Sequence, residues 1–216
     1  MQTPRWFLSA LIGLVAINAS SANASYSSDH LVPLDGLLTV YGPHYSYLET
    51  VRTVLVGDVC EHSSAAMVTL PSFSGESIVY LQEKNDGVFV VSARVSKQIW
   101  SASKDDKITV IRSEKPIDAK LAKQLGSVFA LAVSQTRYPE HETLGLDGVD
   151  YQFSAFARFY GTRAGKTWSP DRQTACGKLV ALGEHMQGYV TGEITAEELE
   201  AEARELVTIL RKMRRN

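Results

Sequence analysis

The chain reads as an α+β protein. The expected fold is an antiparallel β-sheet of meanders and hairpins, with helices packed on one face and a C-terminal helical hairpin. Three observations lead there. Strand-like runs cluster between Ala66 and Arg112, apart from the helical patterns. The links between them are short and turn-like, as antiparallel neighbours require. From Leu179 onward, two apolar stripes at helical spacing are separated by glycine-bearing residues.

Each element has its own reason. Ser25 to Val32 is polar and small. In Tyr45–Leu55 the positions Leu48, Val51, Val54 and Leu55 follow helical spacing, although β-branching keeps a strand open. Three strand runs follow: "AMVTLP", "SIVYLQE" and "GVFVVSARV". The last two are joined by "KNDG", whose residues tolerate the positive φ of a hairpin turn. "KITVIR" comes after the charged loop "SKDDK". Pro116 is expected to open a helix with Asp118 as N-cap. Leu121, Leu125, Val128 and Ala132 form its stripe, with Phe129 beside it, and Pro139 lies beyond its end. Asp147-Gly148, between "TLGL" and "VDYQFSAF", predicts a second hairpin. "GTRAGKT" predicts a glycine-bearing turn into a short strand ending at Trp168, and Ser169-Pro170 leads into the next helix. That helix carries Leu179, Leu182, Met186 and Tyr189 and stops between Gly188 and Gly192. The last helix opens on a Thr195/Glu198 capping box. Leu199, Ala203, Leu206, Leu210 and Met213 continue it, and its acidic start and basic end suit the helix dipole.

The N-terminus predicts a destination. Arg5 precedes an apolar run from Phe7 to Ile17, and "NASSANA" supplies a small-x-small cleavage site at Ala22 and Ala24. This is the pattern of a secretory signal peptide over residues 1–24, removed before Ser25. The run falls short of the ~20 residues a membrane span needs. Residues 25–216 remain as a single α+β domain, about 190 residues being ample for one core. The expected location is periplasmic or secreted, with no membrane span in the mature chain. The formal charge of the whole chain is −2, and losing Arg5 makes it one unit more negative. No basic, aromatic-rich groove points to nucleic acid.

In an oxidising compartment, Cys60 and Cys176 predict one disulfide. It would close a loop of about 115 residues and contribute roughly 4–5 kcal/mol in the chain-entropy model. Two free thiols, or a metal site with His62 and His141 or His185, are the alternatives.

Several motifs invite chemistry and are better explained without it. "GTRAGKT" resembles a phosphate-binding loop, but only Thr162, Arg163 and Ala164 stand between Gly161 and Gly165, one residue too few. "SASK", Ser101–Lys104, lacks the companion elements of penicillin-recognising enzymes. "PEHE" sets His141 beside Glu142, and His185 follows Glu184; structural roles are commoner for such lone histidines. Glu142, Asp147 and Asp150 could cluster, although turn chemistry accounts for the two aspartates. The basic end, Arg211, Lys212, Arg214 and Arg215, is explained by the helix dipole.

The aromatic stretch "VDYQFSAFARFYGTRAGKTW" holds the candidate binding residues. Tyr151 and Phe153 share one face of a strand, with Phe156 on the other. These three, with Trp168 and His141, are the expected binding residues, weighed against plain core packing.

The elements "TRYPE", "LGLDGVDYQFSAF", "GKTWSP" and "KLVAL" together resemble a group of exported bacterial proteins. That group shares a D-G-x-x-Y-x-F strand, a G-x-T-W-S-P element and a Leu-rich helix. The resemblance implies a periplasmic single domain and carries no catalytic residues with it.

The function expected from these readings is exported, non-catalytic binding or inhibition, including an immunity-type protein that plugs a toxin or hydrolase. Its partner would be a protein or a small molecule. No catalytic set, cofactor or metal is implied. One alternative is a small hydrolase using His141, paired with either Glu142 or Asp150, near Trp168. Another is an envelope assembly or stress factor that docks through its terminal helix.

Overall fold

A computed structural model describes residues 29–39, 45–56, 62–103, 106–139, 147–157, 159 and 161–214. The predicted leader, Cys60, His141 and Glu142 lie outside them. The fold is an antiparallel sheet with helices, as the sequence predicts, and among the described residues the sheet has seven strands. The strands are β1 (Val32–Leu34), β2 (Ala66–Pro71), β3 (Ser77–Lys84), β4 (Gly87–Val95), β5 (Val110–Ile117), β6 (Val149–Ala157) and β7 (Gly161–Trp168). The helices are α1 (Tyr45–Val51), α2 (Ala119–Val133), α3 (Ala175–Thr191) and α4 (Ala196–Met213). The spatial order is β1-β7-β6-β2-β3-β4-β5.

One face of the sheet carries α2, α3 and α4. Met67, Val79, Leu81, Val90, Phe153 and Ala155 from the strands meet Leu125, Phe129, Leu182, Met186 and Leu206 from the helices. Phe129 and Phe153 have ring centroids 6.0 Å apart. Gly183 lets α3 approach closely, because a Cβ there would strike the Met67 side chain. On α4 the Thr195/Glu198 capping box forms as the sequence predicts. Helix α3 ends at Gly192 in the left-handed conformation.

The opposite face has a smaller core. Helix α1 continues as a π-helical turn, Arg52–Val56, and covers the β2–β4 part of the sheet. Its Val51 and Leu55 pack on Ile78, Tyr80, Val91 and Ala93. Helical periodicity therefore prevails over β-branching in this segment, because the apolar stripe has a sheet to bury against.

Two local expectations are corrected. Pro116 does not open α2 but lies in the edge strand β5, where a missing N–H is tolerated. The helix starts at Ala119, and Asp118 accepts from the amides of Lys120 and Leu121. Asp147-Gly148 does not join β6 to a preceding hairpin partner. Both edges of β6 are occupied, by β2 and by β7.

The expected Cys60–Cys176 disulfide is also not seen. Cys176 is a free thiol, 2 % exposed, in the first turn of α3 on the helix face. Val56, the last described residue before Cys60, packs on the other face. Burial pushes the Cys176 thiol up to about 12, which makes it unreactive. No helix among the described residues is long and apolar enough to cross a membrane.

Candidate functional site: a cavity on the open sheet face

Helix α1 leaves the β6–β7 part of its face uncovered, and a cavity of about 650 Å³ lies there. Strand register explains its lining. Asp150 stands opposite Leu70 and Trp168, and Gln152 opposite Val68 and Lys166. Opposed residues point to the same side of a sheet. Polar Asp150, Gln152 and Lys166 therefore project from the face that in β2–β4 is aliphatic. Leu34, Leu48, Leu70 and Pro71 add apolar surface, and Tyr47, Phe73, Trp100 and Trp168 add aromatic walls. Phe73 is 80 % exposed and Trp100 58 %.

The polar pair is built in. Gln152, 3 % exposed, accepts from the Leu38 amide at 2.8 Å and donates to Asp150 Oδ2 at 3.1 Å. Leu38 itself has φ +56°. A non-glycine residue in that region is strained and persists only where its surroundings hold it; here Gln152 supplies the hold. Burial pushes the Asp150 carboxyl up from its ordinary value, against the opposing effects of the Gln152 hydrogen bond and the Lys166 charge.

Glu76 positions a second wall. It is fully buried and accepts from Tyr47 Oη at 2.9 Å, the Ile99 amide at 2.8 Å and the Trp100 amide at 3.3 Å. One carboxylate thus fastens α1 and the segment after β4 together. The Tyr47 and Trp100 rings meet edge to face, with centroids 5.1 Å apart. Burial, reinforced by Glu76, raises the pKa of the Tyr47 hydroxyl and keeps it a donor.

The third wall is a backbone knot. The Ser72 amide donates to Gly148 O, and the Gly148 amide to Ser72 Oγ. The Val149 amide donates to Ser169 Oγ, and the Ser169 amide to Val149 O. The Trp168 indole lies over Gly148, where a Cβ would come within 2.7 Å of the ring. The glycine that looked like a hairpin residue is the seat of a tryptophan.

The expected binding residues separate. Trp168 lines the cavity. Tyr151 and Phe153, 8 % and 0 % exposed, belong to the helix-face core. Phe156 is on the cavity side of β6 but does not line the cavity; it meets His62 edge to face at 5.5 Å. Of the carboxylates weighed as a cluster, Asp147 and Asp150 both line the cavity. Among the described residues there is no group of three metal-binding side chains. His185 pairs with Glu202 on α4 at 2.6 Å, and Glu184 with Arg172. "GTRAGKT" lies within β7, paired along its length with β6.

Sequence reasoning missed Glu76, Tyr47, Phe73 and Trp100. The only signal for the three rings was a scatter of aromatic residues with no periodicity, and Glu76 carried none. Comparisons with known proteins find no matching family, no matching curated protein and no matching solved structure.

Proposed function

We propose that this is an exported, non-catalytic binding protein whose ligand is a small molecule held in the cavity on the open sheet face. The observation that carries the reading is the cavity itself. It is concave, within the 300–1,000 Å³ typical of small-ligand sites, and pairs aromatic walls with a few polar groups, among them the buried Gln152. The elements that resemble the exported group also meet here. Asp147 and Gly148 of the first motif, and Lys166, Trp168 and Ser169 of the second, build one side of the cavity.

The test is thermal unfolding of the purified exported chain with the small-molecule fraction of its own compartment. A ligand selective for the folded state raises Tm, by about 2.7 kcal/mol of added stability at a hundredfold excess over Kd. The rise should vanish in Thr39→Trp, which fills the cavity. No rise in any fraction, with no co-purifying species in native mass spectrometry, would refute the reading. Capture of a stoichiometric protein that occludes the cavity would replace the small ligand with an inhibited partner.

A second reading rests on Asp150 alone. A carboxyl with a raised pKa in a cleft is the form a general acid takes. Hydrolysis of a bound compound that stops in Asp150→Asn would favour it. Binding without turnover would exclude it.

A further inference from the structure

Resting on that reading of the cavity, we propose that its ligand is a neutral saccharide, a short chain of sugar rings stacked on the indole walls with hydroxyls on Asp150, Gln152 and Lys166.

Charge argues first. The cavity presents Asp147 and Asp150 together with Lys166. Burial holds Asp150 toward its neutral form, so a cationic ligand would meet the lysine and an anionic one Asp147, and neither sign is favoured. A neutral ligand offends neither.

Hydrogen-bond capacity argues next. Lys166 faces Gln152 across the strand pair, its charge acts on Asp150, and its ammonium offers three donors. Gln152 has used one amide hydrogen and one carbonyl lone pair, leaving one donor and one acceptor site. Burial favours the acid form of Asp150, which both donates and accepts. Donors and acceptors therefore alternate over a short distance. A hydroxyl, which also does both, is the group that satisfies such a surface. A wholly apolar ligand would leave these groups unpaired, at about 1–3 kcal/mol each.

Shape argues third. Tyr47, Trp100 and Trp168 offer flat apolar surfaces beside the polar groups. A sugar ring has the matching form, with C–H faces and a hydroxylated rim. The exposed Phe73 and Trp100 extend that surface at the mouth, where further rings could lie.

The chain supplies its own reporter. Its tryptophans are Trp6, in the predicted leader, and Trp100 and Trp168, which both line the cavity. Tryptophan emission is measured while the exported chain is titrated with cellotriose, maltotriose and tri-N-acetylchitotriose. Trigalacturonate and triglucosamine serve as charged counterparts, and an anilinonaphthalene sulfonate dye as an apolar probe. At least one neutral trisaccharide should give a saturating change, with the charged trimers about tenfold weaker or worse. Asp150→Asn should stay within about threefold, and Asp150→Leu, with its fold checked by circular dichroism, should lose about tenfold or more. Tighter binding of a charged trimer, or binding of the dye alone, overturns the saccharide assignment and leaves the cavity as the binding site. No response to any probe, when the compartment's own small-molecule fraction still raises Tm, overturns the saccharide alone. No response to either overturns both readings.

Discussion

The two faces of the sheet use the same strands differently. On the helix side, Met67, Val79, Phe153 and Ala155 are closed over by α2, α3 and α4, and each is at most 1 % exposed. On the other side, Val68, Ile78, Tyr80 and Val91 are equally buried beneath α1, but only as far as β2. Beyond it, in β6 and β7, the same side carries Asp150, Gln152, Lys166 and Trp168 around a cavity. Strand β6 holds the contrast within itself. Tyr151 and Phe153 are core, while Asp150 and Gln152, one residue out of phase, line the cavity. One face secures the fold. The other gives up part of its core and withdraws Gln152 and Asp150 from water at a cost in stability, as binding sites do.

The contrast can be broken most severely at Phe153. Phe153→Ala leaves a hole beneath Phe129 and should cost about 3–5 kcal/mol in denaturant unfolding. A loss below about 1 kcal/mol would mean that the helix face is not the main core.

Glu76→Ala comes next. It leaves the Ile99 and Trp100 amides and the Tyr47 hydroxyl without their acceptor. A cost of about 2–3 kcal/mol is expected, with red-shifted Trp100 emission as that wall loosens. Unchanged emission would show that Glu76 does not position the wall.

Trp100→Ala should cost only about 1 kcal/mol, the worth of its contact with Tyr47, because the ring is 58 % exposed. Ligand binding should nevertheless fall by about tenfold or more. Parallel losses of stability and binding would erase the distinction between the faces.

Asp150→Asn sharpens the comparison through pH. The folded pKa of Asp150 lies above its ordinary value of 3.8. Folding is then opposed as the carboxyl ionises, so stability falls as pH rises from that value through the folded pKa. The Asn variant lacks this loss. Its advantage should be smallest near pH 3.8 and grow towards neutrality, measured as denaturant midpoints across that range. An advantage independent of pH would show that the shift is absent.

The smallest effect concerns Cys176. In a Cys60→Ser background its thiol should resist a disulfide reagent at pH 8 until the protein is unfolded, since its value lies near 12. Rapid native labelling would contradict its place in the core.

Local signals made much of this fold legible. "KNDG" does link β3 to β4, and Asp118 and Thr195 do cap their helices. Such features depend on neighbours in the chain, so a short stretch contains the whole cause. Asp147-Gly148 misled because its meaning is set at long range. With β2 and β7 already flanking β6, the glycine serves the Trp168 ring instead of a turn. Asp150 and Trp168 were visible as candidates, but Tyr47, Phe73, Glu76 and Trp100 reach the cavity only through sheet order and the Glu76 hydrogen bonds. Nothing local in "SGESIV" distinguishes a buried, triply bonded carboxylate from a solvated one.

The most direct test of the functional contrast is a proton–nitrogen NMR spectrum of residues 25–216 before and after a cellular small-molecule fraction is added. Its two indole N–H signals come from Trp100 and Trp168, both at the cavity. The account predicts that both move, along with the amides of Ser72, Gly148 and Gln152, while those of α2 and α4 stay in place. Shifts confined to the helix layer, with both indoles unmoved, would contradict it.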